Sequence, residues 1–252
     1  FGIAIVIPAE HSIVCANHFQ SERFNQDQKN IQSQEQTASG YRYQRVVQEI
    51  NRWKPMSEKD AAFLLRDTKG LDDTDIGLGN EKAINQLIAH HSVIFKPKER
   101  LVWVSTAPWQ LGAYIGYNLN EIFPTFATLH QQKDLTEQEL MIPADTLLNT
   151  VAYRNFLRFR EMRDTLENVL SGKTSFLPEE VFFDTFHDAN PRFYETWSLT
   201  GDYYLQAGRQ EKAVECYQKA LSLEIPGKDQ REKIIQNLAA ALVQIKLKTN
   251  EI

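Results

Sequence analysis

Cysteine is scarce in this chain, with only Cys15 and Cys216, so a framework of disulfides is excluded. No apolar run approaches membrane-spanning length, and no long basic run is present. With a net charge of -5, that argues against general nucleic-acid binding. Low hydrophobicity is also absent: 42% of the 252 residues are hydrophobic, enough to build one large or two modest cores, so the chain is not disordered by composition. An initiating Met is missing as well. Phe1 opens the sequence inside an apolar stretch, which reads as a fragment of a longer protein; a signal peptide would lie outside it.

Polar chemistry first gathers around residues 13–19, Ile-Val-Cys-Ala-Asn-His-Phe. Residues 3–7 read as a strand, 8–11 as a turn and 12–16 as a second strand, which puts Asn17 and His18 at a strand end, where scaffolds present working groups. An Asn there can aim its amide at a developing oxyanion, a contact worth about 3 kcal/mol of barrier in a dry site. Equally, Asn17 can simply end the strand through local side-chain to backbone bonds. Cys15 and His18 lie three apart in extended chain and point to opposite faces, so Cys15 reads as a small structural hydrophobe rather than a His-activated nucleophile, and Cys216 as one more on an apolar helix face.

Residues 20–37, rich in Gln, Asn, Asp and Ser, read as a loop beside this stretch. Ser39 is the expected N-cap of a helix whose Val46, Val47, Ile50 and Trp53 face a core, and Lys54-Pro55 ends it. Ser57 caps the next helix, with Asp60 at the capping-box position. Arg42 sits in a first helical turn, where a cation opposes the dipole unless it has a partner; Arg45 is its rival. The acids of residues 67–80 lack the glycine and terminal Glu of a calcium loop, so this stretch is a connection. Residues 84–95 read as a strand, 96–100 as a turn and 101–105 as the return strand, apolar on both faces and hence expected inside layers. His90 and His91, as strand neighbours, point apart and do not form a metal site. Tyr114, Tyr117, Phe123 and Phe126 suggest an apolar pocket or, preferably, an interdomain seam.

In order and spacing, the strand pair leading to Ala16-Asn17-His18-Phe19, the Ser39-Gly40-Tyr41-Arg42 helix start, the helix from Ser57 to Asp67 and the strands around 92–95 and 101–104 resemble the C-terminal part of penicillin acyltransferase-like N-terminal nucleophile hydrolases. Ala16 stands where members of that family often carry Thr. The resemblance covers about residues 1–110. It implies a four-layer αββα sandwich, a nucleophilic Cys exposed by self-cleavage, Asn17 as oxyanion-hole donor and Arg42 as support of the site. Since Phe1 can supply neither nucleophile nor base, the nucleophile would lie outside this chain.

Beyond residue 133 the pattern turns helical. Residues 143–172 read as one long helix stopped by Ser171-Gly172, with mixed charge on its solvated side. Trp197, Gly201, Tyr204, Ala213, Tyr217 and Ala220 fall at the spacings of a tetratricopeptide repeat, with Gly208 at the turn and Ile234, Leu238, Ala241, Leu242 and Ile245 on a following helix. A single repeat cannot bury its own faces, so the long helix and residues 181–186 are expected to stack beside it.

The fold class is therefore α+β: residues 1–132 as part of the hydrolase sandwich and 133–252 as a tetratricopeptide-like helical region. Two functions stand. One is a fragment, inactive alone, of an amide-bond hydrolase or acyltransferase acting on a small amide or acyl substrate, with the missing N-terminal part of the same protein as its complement and no cofactor. The other is a noncatalytic scaffold that binds a protein partner through its helices.

Overall fold

The computed structural model describes residues 12–24, 26–53, 55–125 and 134–250. The strand expected at 3–7, the turn at 8–11, Phe126 and the boundary near Lys133 lie outside the described residues.

The fold is mixed α and β. Helices α1 (Gln28–Gln36), α2 (Ser39–Arg52) and α3 (Glu58–Leu65) come first, and strands β1 (Val93–Lys96), β2 (Leu101–Ser105) and β3 (Tyr114–Asn118) follow. A short helix α4 (Leu119–Thr125) and strand β4 (Glu137–Ile142) precede five helices: α5 (Val151–Leu170), α6 (Glu180–Ala189), α7 (Tyr194–Gln206), α8 (Gln210–Leu221) and α9 (Lys228–Asn250). No helix among the described residues is long and apolar enough to cross a membrane.

The strands form one antiparallel meander in the order β1-β2-β3-β4, with Ile94 opposite Trp103 and Trp103 opposite Gly116. Ile94, Trp103, Tyr114 and Ile142 turn to one face and pack with Ala62 of α3. The Trp103 indole N–H donates to the Leu140 carbonyl at 2.7 Å. A Cβ on Gly116 would stand 2.4 Å from that of Leu140, so only glycine fits beneath the indole. The opposite face differs from expectation, because Val93 and Phe95 are exposed. The described residues cover one side of the hairpin only. The strand is also shorter than expected, since residues 84–92 are irregular.

Several other expectations change. Residues 12–16 form no continuous strand; among the described residues Ser12, Ala16 and His18 are isolated bridge positions, with Ala16 paired to His18. The expected loop at 20–37 contains a 3-10 turn (Glu22–Phe24) and α1, whose Asp27 cap accepts from the Asn30 backbone N–H. That helix is polar nearly all round, so apolar periodicity does not announce it. Ala38 rather than Ser39 occupies the N-cap of α2, while the Ser57-Asp60 capping box is present with both reciprocal bonds. The long helix begins at 151: Asp145 caps a 3-10 turn (Thr146–Asn149) and Thr150 caps α5.

The face that α2 buries is also different. Val46, Val47 and Ile50 are half-buried and Trp53 is exposed, whereas Arg45 and Glu49 are 2% and 3% exposed. Arg45 bonds Asp67 at 2.6 Å and Asp73 and Glu49 at 2.9 Å, and Arg52 reaches Glu49 and Asp73 at 2.8 Å. Hydrogen bonds from Arg52 and Arg45 hold the Asp73 carboxyl down at about 2. The acidic connection at 67–80 is thus strapped to α2 by charge.

A second polar hub joins the sheet to the helices. The buried Arg66 guanidinium donates to the carbonyls of Gly112 (2.7 Å), Pro143 (2.9 Å) and Gln110 (3.3 Å) and lies over the Tyr114 ring. Trp109 meets Tyr153 and Phe156 edge-on. Leu87 and Leu111 enter the same core as Phe159, Phe186, Phe193, Tyr204 and Tyr217. Of the aromatic group expected to form a seam, Tyr114 is buried, whereas Phe123 is exposed.

Helices α7 and α8 form a tight hairpin at the predicted positions. Gly201, Ala213 and Ala220 are buried, and Gly208 takes φ +73° in the turn. The Tyr217 hydroxyl donates to Asp202 Oδ1 at 2.7 Å, and Asn237 of α9 donates to the same oxygen at 2.8 Å. Ile234 and Ala241 of α9 are buried as the spacing predicts, but Leu242 faces outward.

Candidate functional site

Among the described residues, residues 16–19 are held between two helices mainly by side-chain hydrogen bonds, with a single bridge between Ala16 and His18. The Asn30 amide of α1 donates to the carbonyls of Phe19 (2.9 Å) and Phe24 (3.2 Å), and its Oδ1 accepts from the Phe19 N–H at 2.6 Å. Ser33 Oγ donates to the Asn17 carbonyl at 3.0 Å. On the other side, Ser39 at the start of α2 bonds His18 Nδ1 at 2.8 Å, and the His18 ring meets Tyr43 edge-on. Burial lowers the His18 pKa. The hydroxyl expected to cap α2 is therefore spent on fixing His18.

This clamp leaves a cavity of about 360 Å³ between residues 13–17, α2 and α3. Arg42, Val46 and Ile50 are spaced four apart and form one stripe of α2 along its wall; Leu64 and Leu65 close it from α3. The lining is mostly aliphatic, with Cys15, Asn17, Arg42 and Tyr43 as its polar members. Asn17 is exposed, and its side-chain amide makes no hydrogen bond among the described residues. Arg42 donates through Nη1 to the Glu81 carbonyl at 2.5 Å. Burial lowers the Arg42 pKa and raises that of Glu81, whose Oε2 is buried without a hydrogen-bond partner among the described residues. The partner that a first-turn arginine calls for is thus a backbone carbonyl backed by a carboxylate, a residue that no local pattern around Arg42 points to.

Both predicted site residues, Asn17 and Arg42, line this cavity. Cys15 also opens onto it and is exposed, contrary to its expected burial. His18 lines a second cavity of about 400 Å³ with Phe19, Phe24 and Asn30, and Ala16 and Asn17 line both, so Cys15 and His18 open onto different cavities although the segment is not a strand. The other thiol, Cys216, is buried in the helical core, where desolvation pushes its pKa up to about 12. His90 and His91 are exposed. Arg45, the rival of Arg42, is engaged in the ionic strap and does not line the cavity.

Chemically, the cavity offers an aliphatic floor for an acyl chain or similar apolar group, an amide donor and a guanidinium. Among the described residues no group of three His, Cys, Asp or Glu side chains is placed to hold a metal ion. No protein-family model, curated protein or solved structure matches the chain.

Proposed function

We propose that the chain is part of an amide-bond hydrolase or acyltransferase of the penicillin acyltransferase-like class, and that the cavity bounded by Asn17 and Arg42 is its acyl-binding cleft. The observation that carries this reading is that two residues of separate elements, Asn17 and Arg42, line one largely aliphatic cavity, with the Asn17 amide uncommitted among the described residues. In the reaction, Asn17 Nδ2 donates to the oxyanion of the tetrahedral intermediate, and the stripe of Val46 and Ile50 holds the acyl group. Arg42 supports the rim through its bond to the Glu81 carbonyl. The attacking thiol comes from outside these residues: Cys216 is buried with a raised pKa, and Cys15 opens onto a cavity that, among the described residues, no histidine lines. The exposed sheet face at Val93 and Phe95 agrees with a sandwich whose second half is supplied from elsewhere.

The alternative, a tetratricopeptide-like scaffold, rests on the α7–α8 hairpin. The cavity between α7 and α9 is about 130 Å³, too small for a peptide segment, and the one of about 630 Å³ beside the α8–α9 connection is walled largely by α1 and α2 rather than by the hairpin, so the acyl-cleft reading is preferred.

The test is mass spectrometry with N-terminal sequencing of the full-length parent, with and without its candidate nucleophile Cys changed to Ala. Splitting that exposes Cys in the wild type alone is expected. Asn17→Ala in the processed enzyme should then lower kcat about 100- to 1,000-fold with KM little changed. A parent that never splits, or an Asn17→Ala enzyme of full activity, overturns the reading.

A further inference from the structure

Helix α9 closes the helical stack, and the outer face of a terminal helix in such an array is ordinarily polar. Here it is not. Ile235, Leu242, Val243 and Leu247 are exposed by 47%, 42%, 54% and 58%, while Ile234 and Ala241 turn inward and Lys248 reaches back to Gln210. Along the outer face, Glu232, Ile235, Ala239, Leu242 and Lys246 recur at alternating steps of three and four, the spacing of a helix-pairing seam.

The order of this stripe reads acid, aliphatic, alanine, aliphatic, base. Laid against an identical stripe running the other way, it places Glu232 beside Lys246 of the second copy, Ile235 beside Leu242, and Ala239 beside Ala239 at the two-fold axis. The Glu232–Lys246 and Ile235–Leu242 contacts then occur twice and the Ala239 contact lies on the axis, which is what an isologous interface requires. A parallel pairing would instead set Glu232 against Glu232 and Lys246 against Lys246. An unrelated partner gives no reason for a stripe that complements itself about its own centre. The small Ala239 lets the two helix backbones approach, and Val243 and Leu247 widen the apolar seam to one side. Among the described residues Glu232 pairs only with Lys228, one turn away at 3.7 Å on the exposed surface, a contact easily exchanged.

We propose that α9 is a homodimerisation helix, pairing antiparallel with α9 of a second copy of this chain about a two-fold axis at Ala239.

Sedimentation equilibrium of the full chain tests it. A reversible dimer is expected at concentrations on the order of 100 µM. Leu242→Glu should leave a monomer with unchanged far-UV circular dichroism, because Leu242 is outside the core. Glu232→Lys and Lys246→Glu, each setting like charges together twice per dimer, should weaken association about tenfold, and the two combined should restore it to within about threefold. In a Cys15→Ser background, Ala239→Cys should cross-link to a disulfide dimer on mild oxidation, Cys216 being buried. A chain that stays monomeric, a dimer indifferent to Leu242→Glu, a double reversal that fails to restore association, or no cross-link at 239 overturns the proposal.

Discussion

Gly201→Ala sets helix propensity against packing, and the distances decide the sign. In isolation the change favours α7 by about 1 kcal/mol. However, a Cβ at Gly201 would stand 2.6 Å from Tyr217 Cε1, 2.8 Å from Cδ1 and 3.0 Å from Cζ, against an ordinary contact of about 3.5–4.0 Å. Tyr217 is fully buried and cannot swing into solvent. Its hydroxyl is tied to Asp202, which also holds Asn237, so moving the ring disturbs the junction of α7, α8 and α9. Overpacking costs about 1–3 kcal/mol and a strained hydrogen bond about 1 kcal/mol more, leaving a net loss of roughly 2 kcal/mol after the propensity gain. With a urea m-value of about 3 kcal/mol/M, the unfolding midpoint should fall by roughly 0.7 M. In a Tyr217→Leu background the same substitution should cost nothing or stabilise, because the ring that clashes is gone. A Gly201→Ala chain as stable as the parent, or a penalty that survives Tyr217→Leu, would refute the close approach of the two helices.

Two further perturbations test the buried charges. Burial, only partly offset by Arg163 at 3.8 Å, raises the Glu195 carboxyl to about 7 from an ordinary 4.5. The folded state then binds more protons than the unfolded one between those values, so stability should fall as pH rises from about 4.5 to 7. Glu195→Gln should flatten that slope in thermal melts and gain on the order of 2 kcal/mol at pH 8; equal slopes in both proteins would rule the linkage out. Arg45→Met should destabilise by about 3–5 kcal/mol, because it strands the nearly fully buried Asp67 without its cation and leaves buried Glu49 with Arg52 alone. Calorimetry that finds Arg45→Met neutral would show that the acids relax to water.

The elements legible in the sequence are those whose burial follows apolar periodicity. The α7–α8 hairpin is one, since Gly201, Ala213, Tyr217 and Ala220 carry their spacing on the surface of the sequence and are buried where it puts them. The Ser57-Asp60 box is another, because both halves of the signal sit within one turn. Illegible were the elements that bury polar groups. Helix α1 hides Asn30, whose partners are backbone groups of residues 19 and 24, and α2 hides Arg45, of whose acids Glu49 is local but Asp67 and Asp73 lie 22 and 28 residues further on. Leu242 failed for the opposite reason: periodicity places it with Ile234 and Ala241, but α9 has apolar residues on two faces and the hairpin can cover only one.

The same division runs through the candidate site. Asn17 and Arg42 could be chosen as chemical types, but their meeting could not, because it depends on the Asn30 and Ser39 clamps that hold residues 16–19 without a strand. A segment fixed by four or five polar contacts is less rigid than one locked in a ladder, since each contact exchanges with water at a net cost of only about 1 kcal/mol. The aliphatic wall of Val46, Ile50, Leu64 and Leu65 is built on helices and keeps its shape regardless. The cavity therefore joins a firm apolar floor to a rim that side-chain hydrogen bonds set, and the position of the Asn17 donor should respond to changes in α1 that never touch a substrate.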